Sequence, residues 1–136
     1  MLKRSILHVV TGTADGVSIA SQVNGASLFM GSDSKKVTDL SAVVTVDAET
    51  TNLTLTAKWQ GSNDASTWYD FAHGTNNVAA TVLATGTGGA DAAVTKVISA
   101  PVGIEGWRYS RLSLVVGAAT GTTNDTYSIA YSYNQH

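Results

Sequence analysis

Strict alternation is the feature that most limits what this chain can become. In Leu53-Thr54-Leu55-Thr56-Ala57-Lys58-Trp59-Gln60 every second residue is apolar, so Leu53, Leu55, Ala57 and Trp59 share one side and Thr54, Thr56, Lys58 and Gln60 the other. Only an extended strand with one covered face sorts residues this way, because successive side chains of a strand point to opposite sides. Residues 126–133 repeat the pattern, with Tyr127, Ile129, Tyr131 and Tyr133 set against small partners. Between them, residues 107–116 read as a long strand near the centre of a sheet, with Leu112, Leu114 and Val116 on one side. Weaker strand patterns cover residues 7–10, 17–22, 27–30, 40–46, 68–71, 78–83 and 94–99.

No long segment carries the apolar spacing and caps of a helix. Clusters of Gly, Asn, Asp, Ser and Thr separate the alternating runs, and the single proline, Pro101, falls outside them. The expected fold class is all-β: an antiparallel β-sandwich of jelly-roll type with about eight strands. Residues 1–136 are expected to make one domain, with residues 1–16 an N-terminal arm or an edge strand. At that length roughly two thirds of the unfolded chain's surface can be buried, enough for a real core. Residues 84–93, rich in glycine and alanine, are expected to form a loop.

Composition narrows the function. Charged residues make up 13% of the chain, about half the usual quarter, and Thr, Ser, Ala, Asn and Gly take their place. A surface of small neutral side chains costs little to desolvate and suits broad contact with neighbouring subunits. The formal charge of -2 gives no basic field for phosphates, so nucleic acid is not an expected partner. With no cysteine there is no disulfide, thiolate metal site or cysteine nucleophile. The apolar run at residues 6–10 is interrupted by His8 and followed by Gly12, too short for a signal peptide or a membrane span.

Motifs for chemistry are missing. His8, His73 and His136 lack a second histidine or a carboxylate at ligand spacing. Gly86-Thr87-Gly88-Gly89-Ala90-Asp91 has neither the following Gly-Lys-Ser/Thr nor the helix of a phosphate loop. No serine sits in a Gly-x-Ser-x-Gly elbow, and the acids lie mostly in turn-like surroundings. The expectation is therefore no enzyme, with no catalytic residue, no metal and no cofactor.

What stands out is KWQGSNDASTWYDF, residues 58–71, with aromatics on both sides of a polar break. Parity puts Trp59 on the core face with Leu55 and Ala57. Trp68 and Tyr69 are adjacent, so on a strand they point to opposite sides. Trp68, Tyr69 and Trp107 are the candidate contacts for a partner or a glycan, since flat rings stack on sugars and anchor interfaces. Leu2 and Ile6 are a second candidate contact, through pairing of residues 2–10 with a neighbour's sheet edge.

The run Gln60-Gly61-Ser62-Asn63-Asp64 followed by Trp68 resembles the "QGSNDGxxW" hairpin common in bacteriophage virion proteins with β-sandwich folds. Trp107-Arg108-Tyr109-Ser110-Arg111-Leu112-Ser113-Leu114 resembles the "RYVRLxL" strand that follows it there, and the same hairpin occurs in galactose-binding-like sandwiches. Ala65 stands where those proteins usually have glycine, which makes a left-handed turn there less comfortable. The resemblance implies a virion structural protein made in the host cytoplasm and carried on the capsid surface. Small decoration, or cement, proteins are the nearest kind, and they imply the major capsid protein as partner and a homo-oligomer, a trimer by preference. The alternative it implies is a carbohydrate-binding or adhesion module of a tail or fibre.

Overall fold

The alternating segments become strands in the computed structural model, which describes residues 3–13, 21–32, 35–47, 54–71, 81–85, 92–117 and 125–135. In chain order the strands are β1 (Lys3–Thr13), β2 (Ser21–Asn24), β3 (Leu28–Phe29), β4 (Gly31–Ser32), β5 (Lys35–Asp47), β6 (Thr54–Ser62), β7 (Tyr69–Asp70), β8 (Thr81–Thr85), β9 (Val94–Ser99), β10 (Tyr109–Gly117) and β11 (Thr126–Gln135). All pairings are antiparallel. The first sheet runs β1-β11-β5, with β9 and the two-residue β4 both on the far side of β5. The second has β10 and β6 at its centre, with β2 and β3 beside β10 and β7 and β8 beside β6. Leaving β4 aside and joining β2 with β3 and β7 with β8, the eight positions lie in the orders 1-8-3-6 and 2-7-4-5.

The two sheets close on one β-sandwich core, and parity decides which residues enter it. Leu55, Ala57 and Trp59 of β6, Leu112 and Leu114 of β10, Ala42, Val44 and Val46 of β5, and Ile129, Tyr131 and Tyr133 of β11 are all buried in one cluster. The expected core face of β6 is thus observed for every residue described, Leu53 lying outside the described residues. Parity breaks in β5, where Val37 and Leu40 are both buried although three positions apart. A bulge between them absorbs the extra residue, with Asp39 at φ 51 and its carboxylate accepting a 2.7 Å hydrogen bond from the Asn134 side chain. Aspartate tolerates this left-handed conformation better than most side chains.

Several boundaries differ from the sequence reading. The 107–116 strand begins only at Tyr109, because the left-handed Gly103 (φ 94) opens a 3-10 turn over Ile104–Gly106, and that turn ends with the Trp107 N–H bonded to the Ile104 carbonyl. The strand expected at 68–71 is confined to β7. Of the strands expected at 17–22 and 78–83, residues 17–20, 72–80 and hence 78–80 lie outside the described residues, and β2 and β8 extend past the expected ends. Of the expected 84–93 loop, residues 84–85 belong to β8 and 86–91 are outside the described residues. Residues 3–13 pair with this chain's own β11. Among the described residues no helix is long and apolar enough to cross a membrane.

Between β2 and β3 the Gly25 N–H still donates to the Leu112 carbonyl of β10 at 2.8 Å, but residues 26–27 interrupt the pairing, and Tyr131 fills the gap from the opposite sheet. The Leu112 N–H donates to its hydroxyl at 3.0 Å, and the hydroxyl donates to the Ala26 carbonyl at 2.7 Å. Gly25 makes this approach possible, since a side chain there would collide with the Tyr131 hydroxyl. Burial pushes the Tyr131 phenol up to about 12, so it stays neutral. Its ring lies 6.0 Å from that of Trp59, whose indole N–H reaches the Ser99 carbonyl at 3.2 Å.

The turn between β6 and β7 is organised by Asp64. Its Oδ1 accepts from the Thr67 N–H at 2.7 Å, the Ser66 N–H at 2.8 Å and the Ser62 hydroxyl at 2.9 Å. These bonds, those from Thr67 and Ser66 foremost, hold the carboxyl at about 2, below its ordinary 3.8. Ala65 adopts φ 58, the left-handed conformation that glycine would take at no cost.

Three outcomes are expected. Tyr131→Phe leaves a buried N–H and a carbonyl without partners and should lower unfolding free energy by about 1–3 kcal/mol in urea titrations. Ala65→Gly should raise it by roughly 1 kcal/mol, because the relieved backbone strain exceeds the entropy that glycine loses. Because folding depresses the Asp64 pKa, its contribution is present above pH 3.8 and lost as pH falls towards 2. Unfolding midpoints across that window should fall less steeply for Asp64→Asn than for the wild type.

Candidate functional site

The outward faces of the two sheets are chemically unlike. On the first, Ala42, Val44 and Val46 point inward, which turns Ser41, Val43 and Thr45 outward. Strand register extends each of them into a row: Ser99-Ser41-Ser132, Val97-Val43-Ala130 and Thr95-Thr45-Ser128. These nine positions hold no charged residue. Thr45 and Thr95 bond to each other through their hydroxyls at 2.9 Å, and Val97, on the edge strand, is 67% exposed. In the main-chain register β1 continues the sheet, with Ile6 beside Ser132 and Thr11 beside Ser128. Leu2, the other candidate of the N-terminal stretch, lies outside the described residues.

The second sheet's outer face is built around Arg111. Leu112 and Leu114 enter the core, so Tyr109, Arg111 and Ser113 lie on the other side of β10, where Ser113 is buried and its hydroxyl is 2.7 Å from Asn24 Oδ1. Across the register, Gln60 lies opposite Arg111, and Asp70 opposite Gln60. The side chains form a ladder: Arg111 Nε donates to Gln60 Oε1 at 2.9 Å, Gln60 Nε2 donates to Asp70 Oδ1 at 2.8 Å, and Lys58 Nζ lies 2.9 Å from the same carboxylate. Burial opposes ionisation of Asp70, yet the bonds from Gln60 and Lys58 outweigh it and hold the carboxyl below its ordinary value. Burial lowers the pKa of Arg111 as well, without threatening a charge that persists far above neutral pH.

Aromatic rings finish this face. The Arg111 guanidinium lies over Trp68, 4.1 Å from the ring centroid. Tyr109, two residues before Arg111 on the same side of β10, packs against Phe29 at 5.5 Å, and Phe29 is 44% exposed. Tyr69, the first residue of β7, stacks on Trp107 at 5.7 Å and 20°, away from the face on which Trp68 meets Arg111. Trp107 rests on Gly61, where any side chain would strike the indole. Tyr69 is nevertheless 55% exposed, at the rim where the sandwich opens.

The three aromatic candidates therefore divide. Tyr69 and Trp107 form one stack, whereas Trp68 belongs to the outer face with Arg111. Arg111, Gln60, Tyr109 and Phe29 were not singled out from the sequence. The alternation of Tyr109 and Arg111 against Ser110 and Leu112 is the signal that could have placed two of them outward beside Trp68. A separate concavity of about 480 Å³ opens at one end of the sandwich, floored by Met30, Val37, Leu40 and Ile104, with Asp39 and Glu105 in its walls. Among the described residues, no three His, Asp or Glu side chains converge as metal ligands. His8 lies in β1, while His73 and His136 are outside the described residues.

No family model and no curated protein matches the sequence. Among solved structures, a chain from "Structure of infectious bursal disease virus Gx strain" aligns with 99% of this chain at 14% identity and a TM-score of 0.49. This chain spans 32% of the length of that one. So distant a likeness leaves function to be argued from the chain's own surfaces.

Proposed function

We propose that this protein is a non-enzymatic structural component of a bacteriophage virion, a decoration protein that binds the major capsid protein on the outer surface of the shell. The observation that carries the reading is a block of uncharged positions on the outer face of the first sheet, bounded by the row of Asp47 and Thr126. Nine neighbouring positions of Ser, Thr, Val and Ala make a flat surface from which water is displaced at little cost, whereas ordinary exposed surfaces carry about a quarter to a third of charged residues. The hairpin at residues 60–68 and the strand at 107–114, both resembling phage sandwich proteins, supply the virion context. The strand orders 1-8-3-6 and 2-7-4-5 support a jelly-roll reading of the sandwich.

The work of such a protein needs no catalytic group. Each copy that binds the assembled shell more tightly than free subunits lowers the free energy of the assembled state, so the shell resists opening. A trimer engages several capsid subunits at once, and its individually weak contacts add through effective concentration. A face of hydroxyls and short aliphatic groups suits repeated shallow contacts better than one deep anchor.

Light scattering after size exclusion should show a trimer, and the protein should co-sediment with undecorated capsids. Val97→Glu puts a charge in the middle row at a well-exposed position, so the unfolding free energy should stay within about 0.5 kcal/mol of wild type. Capsid binding should weaken by roughly tenfold or more, because the carboxylate would be buried without a partner. A strict monomer that ignores capsids, or a Val97→Glu variant that binds as wild type does, would overturn the assignment.

A further inference from the structure

The Arg111 guanidinium is held through its Nε and one face, but not along its outer edge. Its Nε is spent on Gln60, its π-face on Trp68, and Gln60 is itself fixed by Asp70. Among the described residues its two terminal nitrogens meet no acceptor. The nearby carboxylate that would most simply neutralise it, Asp70, is already engaged by Lys58 and Gln60. A guanidinium immobilised this way has paid its ordering entropy before any ligand arrives, and its free edge is a planar fork that matches two carboxylate oxygens.

The surroundings say what should carry that carboxylate. Tyr109 lies two residues along the same face, roughly 7 Å away along the strand, with Phe29 beside it. Guanidinium, phenol and phenyl thus make an open strip in which a charged fork is followed by flat apolar rings. A carboxylated sugar linked to a further sugar presents both partners in succession, an anionic edge and then an apolar C–H face. A lone Asp or Glu side chain would use the fork and leave the rings idle. We infer that the outer face of the second sheet binds carboxylated glycans, uronate- or sialate-bearing, with Arg111 clasping the carboxylate and Tyr109 and Phe29 receiving the next ring.

This site does not depend on the decoration reading, since it lies on the opposite side of the sandwich from the uncharged block. The two are compatible. A molecule docked through its first sheet turns the second away from the shell, where acidic polysaccharide of a cell surface would be met.

The test is a titration of the intact protein, followed by tryptophan fluorescence, with oligogalacturonate and with sialyllactose, each beside its neutral counterpart: the carboxyl-reduced oligomer and lactose. Saturable binding of at least one carboxylated probe is expected, with the neutral counterpart weaker by about tenfold or more. Arg111→Lys keeps the charge but loses the fork, and should weaken binding by a similar factor. Because that variant also disturbs the ladder, the wild-type Arg111 Nε–Hε NMR resonance supplies a second readout, and it should shift on adding the bound probe. The inference is overturned if neither carboxylated probe saturates, if charged and neutral probes bind alike, or if the Arg111 resonance stays still during binding. It is equally overturned if Arg111→Lys abolishes capsid binding in a protein that takes up no glycan, for the fork then serves a protein carboxylate.

Discussion

A single hydroxyl joins the two sheets where pairing beside β10 is interrupted. Beyond the Gly25 N–H, which donates to the Leu112 carbonyl at 2.8 Å, pairing along β10 lapses at residues 26–27, which strands the Leu112 N–H and the Ala26 carbonyl inside the protein, and unpaired buried backbone groups are costly. Tyr131 reaches across from β11 and satisfies both. Because its ring also packs beside Trp59, the same residue sets the spacing of the sheets and closes the ladder. Gly25 is tied to this arrangement by simple exclusion, since only a missing side chain leaves room for the phenol.

From that fixed core the outward faces follow by parity, and parity was legible in the sequence. Alternation placed Leu55, Ala57, Trp59, Leu112, Leu114, Ile129 and Tyr131 inside, and all are buried. It also required Trp68 and Tyr69 to diverge, which they do. Alternation fails where the chain leaves the regular pleat. The bulge at Asp39 shifts parity by one residue, and nothing local announces it, because the carboxylate's partner, Asn134, is ninety-five positions away. Trp107 reads as the first residue of a strand from its neighbours alone, yet a left-handed Gly103 upstream turns the chain and lays the indole on Gly61. The Arg111–Gln60–Asp70 ladder was hidden for a related reason: its members come from three strands, and only the register brings them level.

The division of labour between the faces has a physical basis. A flat block of Ser, Thr, Val and Ala loses little hydration when covered and gives no directional signal, so it favours area over selectivity. The opposite face does the reverse. It holds Lys58, Asp70 and Arg111 among aromatic rings, and its charges are fixed by mutual bonds before any partner arrives. A sandwich can keep two such surfaces apart because each strand sends alternate residues inward. Both then rest on one core without sharing a side chain.

The β6–β7 turn completes this argument. Trp68 can lie over Arg111 only if the chain reverses within the short stretch after Ser62, and the Asp64 carboxylate gathers the N–H groups of Ser66 and Thr67 to bring that about. The reversal forces Ala65 into a left-handed conformation that costs an alanine about 1–2 kcal/mol. Three bonds to one ionised carboxylate offset that strain, which explains how alanine persists where glycine would be easier. The polar break in KWQGSNDASTWYDF is therefore part of the aromatic face it interrupts: its hydrogen bonds are local, and their product is the position of an indole beneath a guanidinium.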